Sequence, residues 1–367
     1  MNFQELKKRF GFGCMRLCMK DGEVDYNVFN EMIDAFLSAG FNYFDTAHGY
    51  IDGKSELAIG ACLSSRYPRE AFLLTNKLSE WYLEKEEDIL PYFENQLKAC
   101  GVEYFDFYLL HSLTRTNYEK YKAIRAFENV KALRESGRIR HMGISFHDTA
   151  DVLNRILSEQ PDVEVVQLQI NYLDVDDPGI QSRACYEVAV KHGKKVIVME
   201  PVKGGTLVNL PDEAAKVLDN LGGGSYASYA LRYAADHPEV IMVLSGMGNM
   251  DMMRDNIGSM SDPLPLTPEE KAATDRVREI IRRVNQIGCT ACNYCAEVCP
   301  QEIPISGIFG AYNRFVSAKI TRSEAKAELP CEGGKASDCI GCGACEGVCP
   351  QSIAIREKLA TIAKRLK

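Results

Sequence analysis

The chain has 367 residues, 46% of them hydrophobic and 26% charged, with a formal net charge of −8, the composition of a globular protein long enough for two domains. The negative balance disfavours the basic face that nonspecific nucleic-acid binding requires. A charged N-terminus without an apolar h-region, no run of about 18 apolar residues, and fourteen cysteines without a signal peptide predict a cytoplasmic chain, off the membrane, whose thiols are free or bind metal.

Short apolar runs recur through the first 250 residues, each followed by a stretch with helical spacing of apolar positions. The predicted strands are Phe10–Met15, Tyr43–Thr46, Phe72–Lys77, Phe105–His111, Arg140–Ser145, Val163–Ile170, Lys195–Glu200 and Val240–Ser245. Eight strands alternating with helices over roughly 250 residues predict a (β/α)8 TIM barrel, because each parallel strand needs a crossover helix. The competing fold is an open doubly wound sheet. That fold places a Gly-rich phosphate turn after its first strand, and Gly11-Phe12-Gly13-Cys14 does not continue into G-x-G-x-x-G. After the eighth unit, Gly258 to Pro265 reads as a linker. Thr267-Pro268-Glu269-Glu270 then supplies an N-cap, a proline at the first helical position and a capping-box glutamate, predicting a helix to about Asn285. The expected domains are a barrel over 1–285 and a cysteine-rich tail over 286–367.

In the tail, Cys289, Cys292, Cys295 and Cys299 follow C-x2-C-x2-C-x3-C-P, and Cys339, Cys342, Cys345 and Cys349 repeat it. The sequence Cys-Pro-Gln-x-Ile-x-Ile occurs at Cys299 and again at Cys349, so the tail is an internal duplication with an inserted helix-like segment over 308–327. Structural zinc takes two separated ligand pairs around a tetrahedral ion, and a third cysteine two residues after a pair fits that poorly. The spacing is that of two-cluster bacterial ferredoxins, which the tail resembles. The resemblance implies a small α+β bacterial-ferredoxin-like domain with two 4Fe-4S clusters. In two-cluster ferredoxins the fourth cysteine of each run binds the other cluster. Cys289, Cys292, Cys295 and Cys349 are therefore expected to hold one cluster, and Cys339, Cys342, Cys345 and Cys299 the other. Cys14, Cys18, Cys62, Cys100, Cys185 and Cys331 lie outside both motifs and read mostly as buried structural thiols.

Polar residues at strand C-termini carry a functional reading, because the active site of such a barrel is built from its βα loops. Asp45 closes the second predicted strand in Asp45-Thr46-Ala47-His48-Gly49-Tyr50, Lys77 the third and His111 the fourth. Taken singly these are a core tyrosine, a snorkelling lysine and a satisfied histidine. Together they resemble the Asp-Tyr-Lys-His tetrad of the aldo-keto reductases, in strand order over residues 1 to about 285, and the whole chain is similar to the members with a C-terminal ferredoxin-type domain. The resemblance implies that Tyr50 gives a proton to a substrate carbonyl while a nicotinamide supplies hydride. Lys77 would favour the ionised phenol, Asp45 would hold Lys77, and His111 would orient the carbonyl oxygen.

Cofactor contacts follow from the same resemblance. Ser145 and Gln167 match the positions that bind the nicotinamide carboxamide, although Phe146 replaces the asparagine usual beside the serine. Gly204-Gly205-Thr206 resembles the loop facing the pyrophosphate, and Ser245, Gly246, Arg254 and Asn256 match the region holding the adenosine end. No Lys or Arg stands between Arg232 and Arg254, so NAD is as well accommodated as NADP. The function expected is NAD(P)-dependent interconversion of a small carbonyl and an alcohol, with two 4Fe-4S clusters for electron transfer or structure and a redox partner protein as a further expectation. A nicotinamide moves two electrons and each cluster one, and no motif supplies a flavin. Two alternatives thus stand beside this reading: an electron-transfer protein whose barrel docks a partner or flavin and whose tetrad is vestigial, and a redox sensor. Trp81 and Tyr82, residues 113–118 and residues 172–177 are candidates to line the barrel mouth.

Overall fold

A computed structural model describes residues 3–366. Its eight parallel strands are β1 (Phe10–Gly13), β2 (Tyr43–Asp45), β3 (Leu73–Leu78), β4 (Phe105–Leu113), β5 (Ile139–Phe146), β6 (Val165–Gln169), β7 (Lys195–Met199) and β8 (Val240–Gly246). Each pairs with its neighbours in sequence, and β1 closes on β8 to complete the barrel. All eight predicted strands are present. The competing open sheet is excluded by that closure.

The barrel interior is filled by Tyr43, Leu73, Phe107, Leu109, Val165, Ile197, Met242 and Leu244, with Phe3 packed against them. Glycine makes room where large neighbours converge: a Cβ on Gly143 would lie 2.5 Å from Leu109 Cδ2 and from Val165 Cγ2. A side chain there would have to displace the layer. Register slips between Leu110 and Leu113 where β4 pairs with β5, and Ser112 takes φ +56°. This bulge lies at His111, the kind of irregularity that re-aims a side chain beside a site. The hydroxyl of buried Tyr121 takes up the displaced backbone, accepting from the His111 N–H at 3.1 Å and lying 2.8 Å from the Leu78 carbonyl oxygen.

The chain forms two compact units. One comprises the chain up to Pro201 with Leu231–Pro265, the other Val202–Ala230 with the chain from Leu266 onward. The second unit thus gathers more than the expected 286–367, because the helix Pro268–Val284 packs on the helix Asp212–Asp219, with an Arg283–Glu213 ion pair between them. That long helix starts as the sequence implies: Thr267 Oγ1 accepts from the Glu270 N–H at 3.2 Å, and Glu270 Oε2 accepts from the Thr267 N–H at 2.8 Å. Gly258 and Ser259, read as linker, instead lie inside the helix Met250–Met260, whose buried Met253, Asn256 and Met260 carry it onward.

Within the tail, the inserted segment resolves into the helices Ile305–Val316 and Arg322–Ala327. Each Cys-Pro-Gln-x-Ile-x-Ile run feeds a helix, Ile305–Val316 and Ile355–Arg365, and buries Ile303, Ile305 and Ile355 in a shared core with Phe309, Leu359 and Ile362. Among its described residues the tail's regular elements are all helical. No described helix is long and apolar enough to cross a membrane.

Candidate functional site

Asp45 ends β2, Lys77 lies one residue from the end of β3, and His111 sits at the β4 bulge, so the strands deliver all three to one end of the barrel. Lys77 Nζ donates to Asp45 Oδ1 at 2.6 Å, to the Thr46 carbonyl at 2.8 Å and to the Tyr50 hydroxyl at 3.1 Å. Gln167 Nε2 donates to the other oxygen of Asp45 at 3.1 Å. His111 Nδ1 lies 2.7 Å from Ser79 Oγ, and its ring centroid is 6.1 Å from that of Tyr50. Lys77 is fully buried, and Tyr50 is 9% exposed.

Electrostatics follow from that burial. Burial first, and then the Asp45 charge, push the Tyr50 phenol well above its usual value, while Arg16 acts the other way. Burial lowers Lys77 against the pull of Asp45, and burial followed by the Lys77 and His147 charges holds His111 well below the usual imidazole range. Burial and the Asp45 charge thus oppose ionisation of the phenol that Lys77 contacts at 3.1 Å.

Sequence reasoning missed the layer beneath. Glu56, 1% exposed, accepts from Asn76 Nδ2 at 2.8 Å and Gln96 Nε2 at 3.1 Å, and its other oxygen lies 2.8 Å from His48 Nδ1. Asn76 Oδ1 in turn accepts from the Lys77 N–H at 2.8 Å, and Gln96 donates to the Lys77 carbonyl at 3.0 Å. One buried carboxylate thus fixes both the backbone of Lys77 and the loop leading to Tyr50. The available signal was a glutamate in the short helix Lys54–Ile59 directly after the Asp45–Tyr50 motif. Another missed feature is the Arg16–Glu200 ion pair at 3.2 Å, whose two charges both act on Tyr50.

Of the residues expected on the cofactor side, Ser145 and Gln167 are register partners on β5 and β6. Ser145 Oγ accepts from the Ser112 N–H at 2.6 Å. Ser245 and Gly246 end β8, and Asn256 Nδ2 donates to Ser245 Oγ at 3.1 Å. Arg254 is exposed and 3.6 Å from Asp251. Gly204 and Gly205 belong to the second unit, where Gly204 at φ +58° leaves no space for a side chain: its Cβ would lie 2.4 Å from the Thr290 Cα. Trp81 reaches the site, its ring 5.0 Å from that of His111. Tyr118 and Tyr172 do not line an open mouth; both are buried, Tyr118 bonding Glu159.

In the second unit Cys299, Cys339, Cys342 and Cys345 line one small cavity together with Ile303, Ile305 and Leu359. Cys295 is pushed up to about 12, by burial first and then by Cys292, Cys289 and Cys349. Cys299 thus neighbours the first three cysteines of the other run, and Cys349, like Cys345, acts on Cys295. Among the described residues, no three Cys, His, Asp or Glu side chains converge on a point where a single ion could sit. Of the unassigned thiols, Cys14, Cys62, Cys100 and Cys185 are buried, whereas Cys18 is half-buried and Cys331 exposed.

Comparison with known proteins follows this division. Residues 9–279 match the model of the aldo/keto reductase family, and residues 288–354 that of the 4Fe-4S dicluster domain. An uncharacterized oxidoreductase of Bacillus subtilis is 24% identical over 75% of this chain and 94% of its own length. The crystal structure of an aldo-keto reductase from Bacillus halodurans in its holo form aligns with a TM-score of 0.60 at 25% identity, covering 74% of this chain and 96% of that one. An aldo/keto reductase from Klebsiella pneumoniae in complex with NADP and acetate aligns with a TM-score of 0.59 at 21% identity, over 74% of this chain and 91% of that one, a likeness of fold.

Proposed function

Since the chain belongs to the aldo/keto reductase family and carries a 4Fe-4S dicluster domain, we propose that this oxidoreductase interconverts a small carbonyl compound and an alcohol with NAD(P). The observation that carries the reading is the buried chain from Asp45 to Lys77 to Tyr50, closed at 2.6 and 3.1 Å at the C-terminal end of the strands.

When bound, NAD(P) would supply a hydride to the carbonyl carbon, the π pair passing to oxygen. Tyr50 gives its hydroxyl proton to that oxygen. Burial keeps the phenol protonated, so the acid is ready at neutral pH. Lys77 stabilises the phenolate left behind, Asp45 keeps Lys77 charged, and Gln167 holds Asp45 in place. His111, held neutral, directs one ring nitrogen to Ser79 and has the other to donate to the carbonyl oxygen. Ser145 and Gln167 stand where the carboxamide would be held, and Ser245, Gly246 and Asn256 where the adenosine end would be. The buried Lys77 and Tyr50 suit a site that excludes water during hydride transfer.

We assign two 4Fe-4S clusters to the tail, one on Cys289, Cys292, Cys295 and Cys349, the other on Cys339, Cys342, Cys345 and Cys299. The shared cavity and the neighbours of Cys295 support the exchange of fourth ligands. Such clusters supply one-electron steps, for a redox partner protein or a second acceptor. The test is a screen of carbonyl compounds and alcohols with NADH and NADPH on anaerobically purified protein. Tyr50→Phe should then lower carbonyl reduction by about 10²–10⁴ with cofactor binding intact. Turnover at the wild-type rate would remove Tyr50 as the acid.

A further inference from the structure

Lys203 is 3% exposed, on the turn that Gly204 seats against Thr290. Its Nζ donates to Gln351 Oε1 at 2.9 Å, and a Cβ on Gly288 would lie 3.1 Å from its Cε and 3.5 Å from its Nζ. Gly288 immediately precedes Cys289, and Gln351 follows Cys349 by two residues. The lysine therefore spans the two chain segments that, on the assignment above, hold one and the same cluster.

The duplicated motif supplies its own control, because every position around one loop has a counterpart around the other. Thr290, beneath Gly204, is 2% exposed, whereas its counterpart Ile340 is 64% exposed. The counterpart of Gly288 is Asp338, which places a carboxylate where the first loop meets the lysine. At the second loop Arg356 donates to the Gly341 carbonyl at 3.3 Å, but it is half-exposed and its guanidinium is paired with Glu346 at 2.7 Å. A solvated charge is screened; a buried ammonium acts at lower dielectric. Net charge, hydrogen bonding and solvent exposure set cluster potentials, and here charge and exposure differ between the loops.

We propose that Lys203 sets the reduction potential of the cluster on Cys289, Cys292, Cys295 and Cys349, raising it above that of the cluster on Cys339, Cys342, Cys345 and Cys299. The added electron makes a cluster more negative, so a nearby buried cation favours the reduced form. Electrons entering at the exposed loop then settle on the covered one. Lys203 is a potential-setting residue and takes no part in proton or hydride transfer.

This rests on the two-cluster reading, and the experiment separates the two. Intact chain is titrated anaerobically with electron paramagnetic resonance detection, as wild type, Lys203→Met, Lys203→Gln and Lys203→Arg. In Met and Gln, one of the two clusters should shift to lower potential by at least a tenfold change in its reduced-to-oxidised ratio, about 59 mV for one electron, and the other should stay. Arg should hold the wild-type value. Lys203→Gln keeps a donor for Gln351 without the charge, so it reports even if Lys203→Met loses iron. Neutral variants that match wild type, or that move both clusters equally, overturn the proposal. Wild-type protein without two cluster signals would overturn the two-cluster reading and this inference with it.

Discussion

At the barrel mouth, every group that holds the reactive residues comes from the chain: Asp45, Thr46 and Tyr50 surround Lys77, Gln167 holds Asp45, and Glu56 ties down the layer below. In the cysteine loops, the thiols surround a cavity lined by isoleucines, a leucine and loop backbone, with short helices of four residues, Tyr294–Glu297 and Ala344–Gly347, between the ligands. Four-residue helices have no stability of their own. The barrel site is preorganised by hydrogen bonds that close without help; the cysteine site, on the assignment proposed above, needs the inorganic cube it would enclose. Loss of the cofactor should therefore be felt very differently in the two regions.

The largest effect expected is from iron removal. Stripping the clusters under anaerobic conditions should abolish amide protection in the two cysteine loops while β2 to β6 stay protected, because metal-ligand bonds add to the tail's small hydrophobic core and the barrel depends on none. Cys299→Ala should reproduce half of that loss, removing the signal of the cluster on Cys339, Cys342 and Cys345 and sparing the other. Hydrogen exchange and iron content read both outcomes. Equal protection in the iron-free chain would mean that the tail is as self-sufficient as the barrel, and loss of only the Cys289 cluster in Cys299→Ala would exclude the exchange of fourth ligands.

The two regions also differ in how they could be read. Barrel strands are short apolar runs, and their residues reach the mouth by strand order alone, so the meeting of Asp45, Tyr50 and Lys77 was legible from three positions spread over 33 residues of sequence. The tail was legible from cysteine spacing. What escaped were contacts between distant, chemically ordinary residues: Glu56 with Gln96, Tyr121 with the His111 backbone, Lys203 with Gln351. A glutamate three residues before a hydrophobic helix end looks like solvated surface, and only tertiary burial makes it a buried acceptor. The linker at Gly258 and Ser259 failed for the opposite reason, since packing of Met253 and Met260 carries the helix through residues of poor propensity.

A smaller effect tests the self-sufficiency of the barrel side. Glu56→Gln can keep an amide oxygen for the donors of Asn76 and Gln96 but turns an uncharged NH2 to His48 Nδ1, and loss of a hydrogen bond to a charged group costs about 1.5–3 kcal/mol. Thermal unfolding should drop accordingly, and the drop should vary with pH. Hydrogen bonding to Glu56 raises His48 above the ordinary imidazole value against the opposing effect of burial. A raised folded value means the His48–Glu56 contribution is fully present below the unfolded pKa of about 6.5 and is lost as pH rises through the folded value. In Glu56→Gln that pH dependence should flatten, and the His48 titration followed by magnetic resonance should move down. An unchanged His48 titration would detach the histidine from this network.

The smallest effect is expected at Arg254, and its smallness is the informative part. A residue that binds a 2′-phosphate gains from two features, a fixed guanidinium and freedom from competing carboxylates. Arg254 has neither: its side chain is 70% exposed, and it lies 3.6 Å from Asp251, one turn back on the same helix, whose own side chain is 95% exposed. An exposed pair of that kind contributes little and is screened by salt. No Lys or Arg precedes it back to Arg232, and the Arg232 guanidinium is engaged by the carbonyl oxygens of Leu264 and Pro265. The adenosine end should therefore discriminate weakly, and Arg254→Ala should change the ratio of kcat/KM for NADH and NADPH by about twofold or less, against the tenfold per 1.4 kcal/mol that a bound phosphate would bring. Steady-state kinetics with both nucleotides at two ionic strengths decides the matter. A strong preference for NADPH that vanishes in Arg254→Ala would show that the arginine leaves Asp251 to meet the phosphate, so that the cofactor end of the barrel, unlike its proton-transfer end, is organised by what it binds.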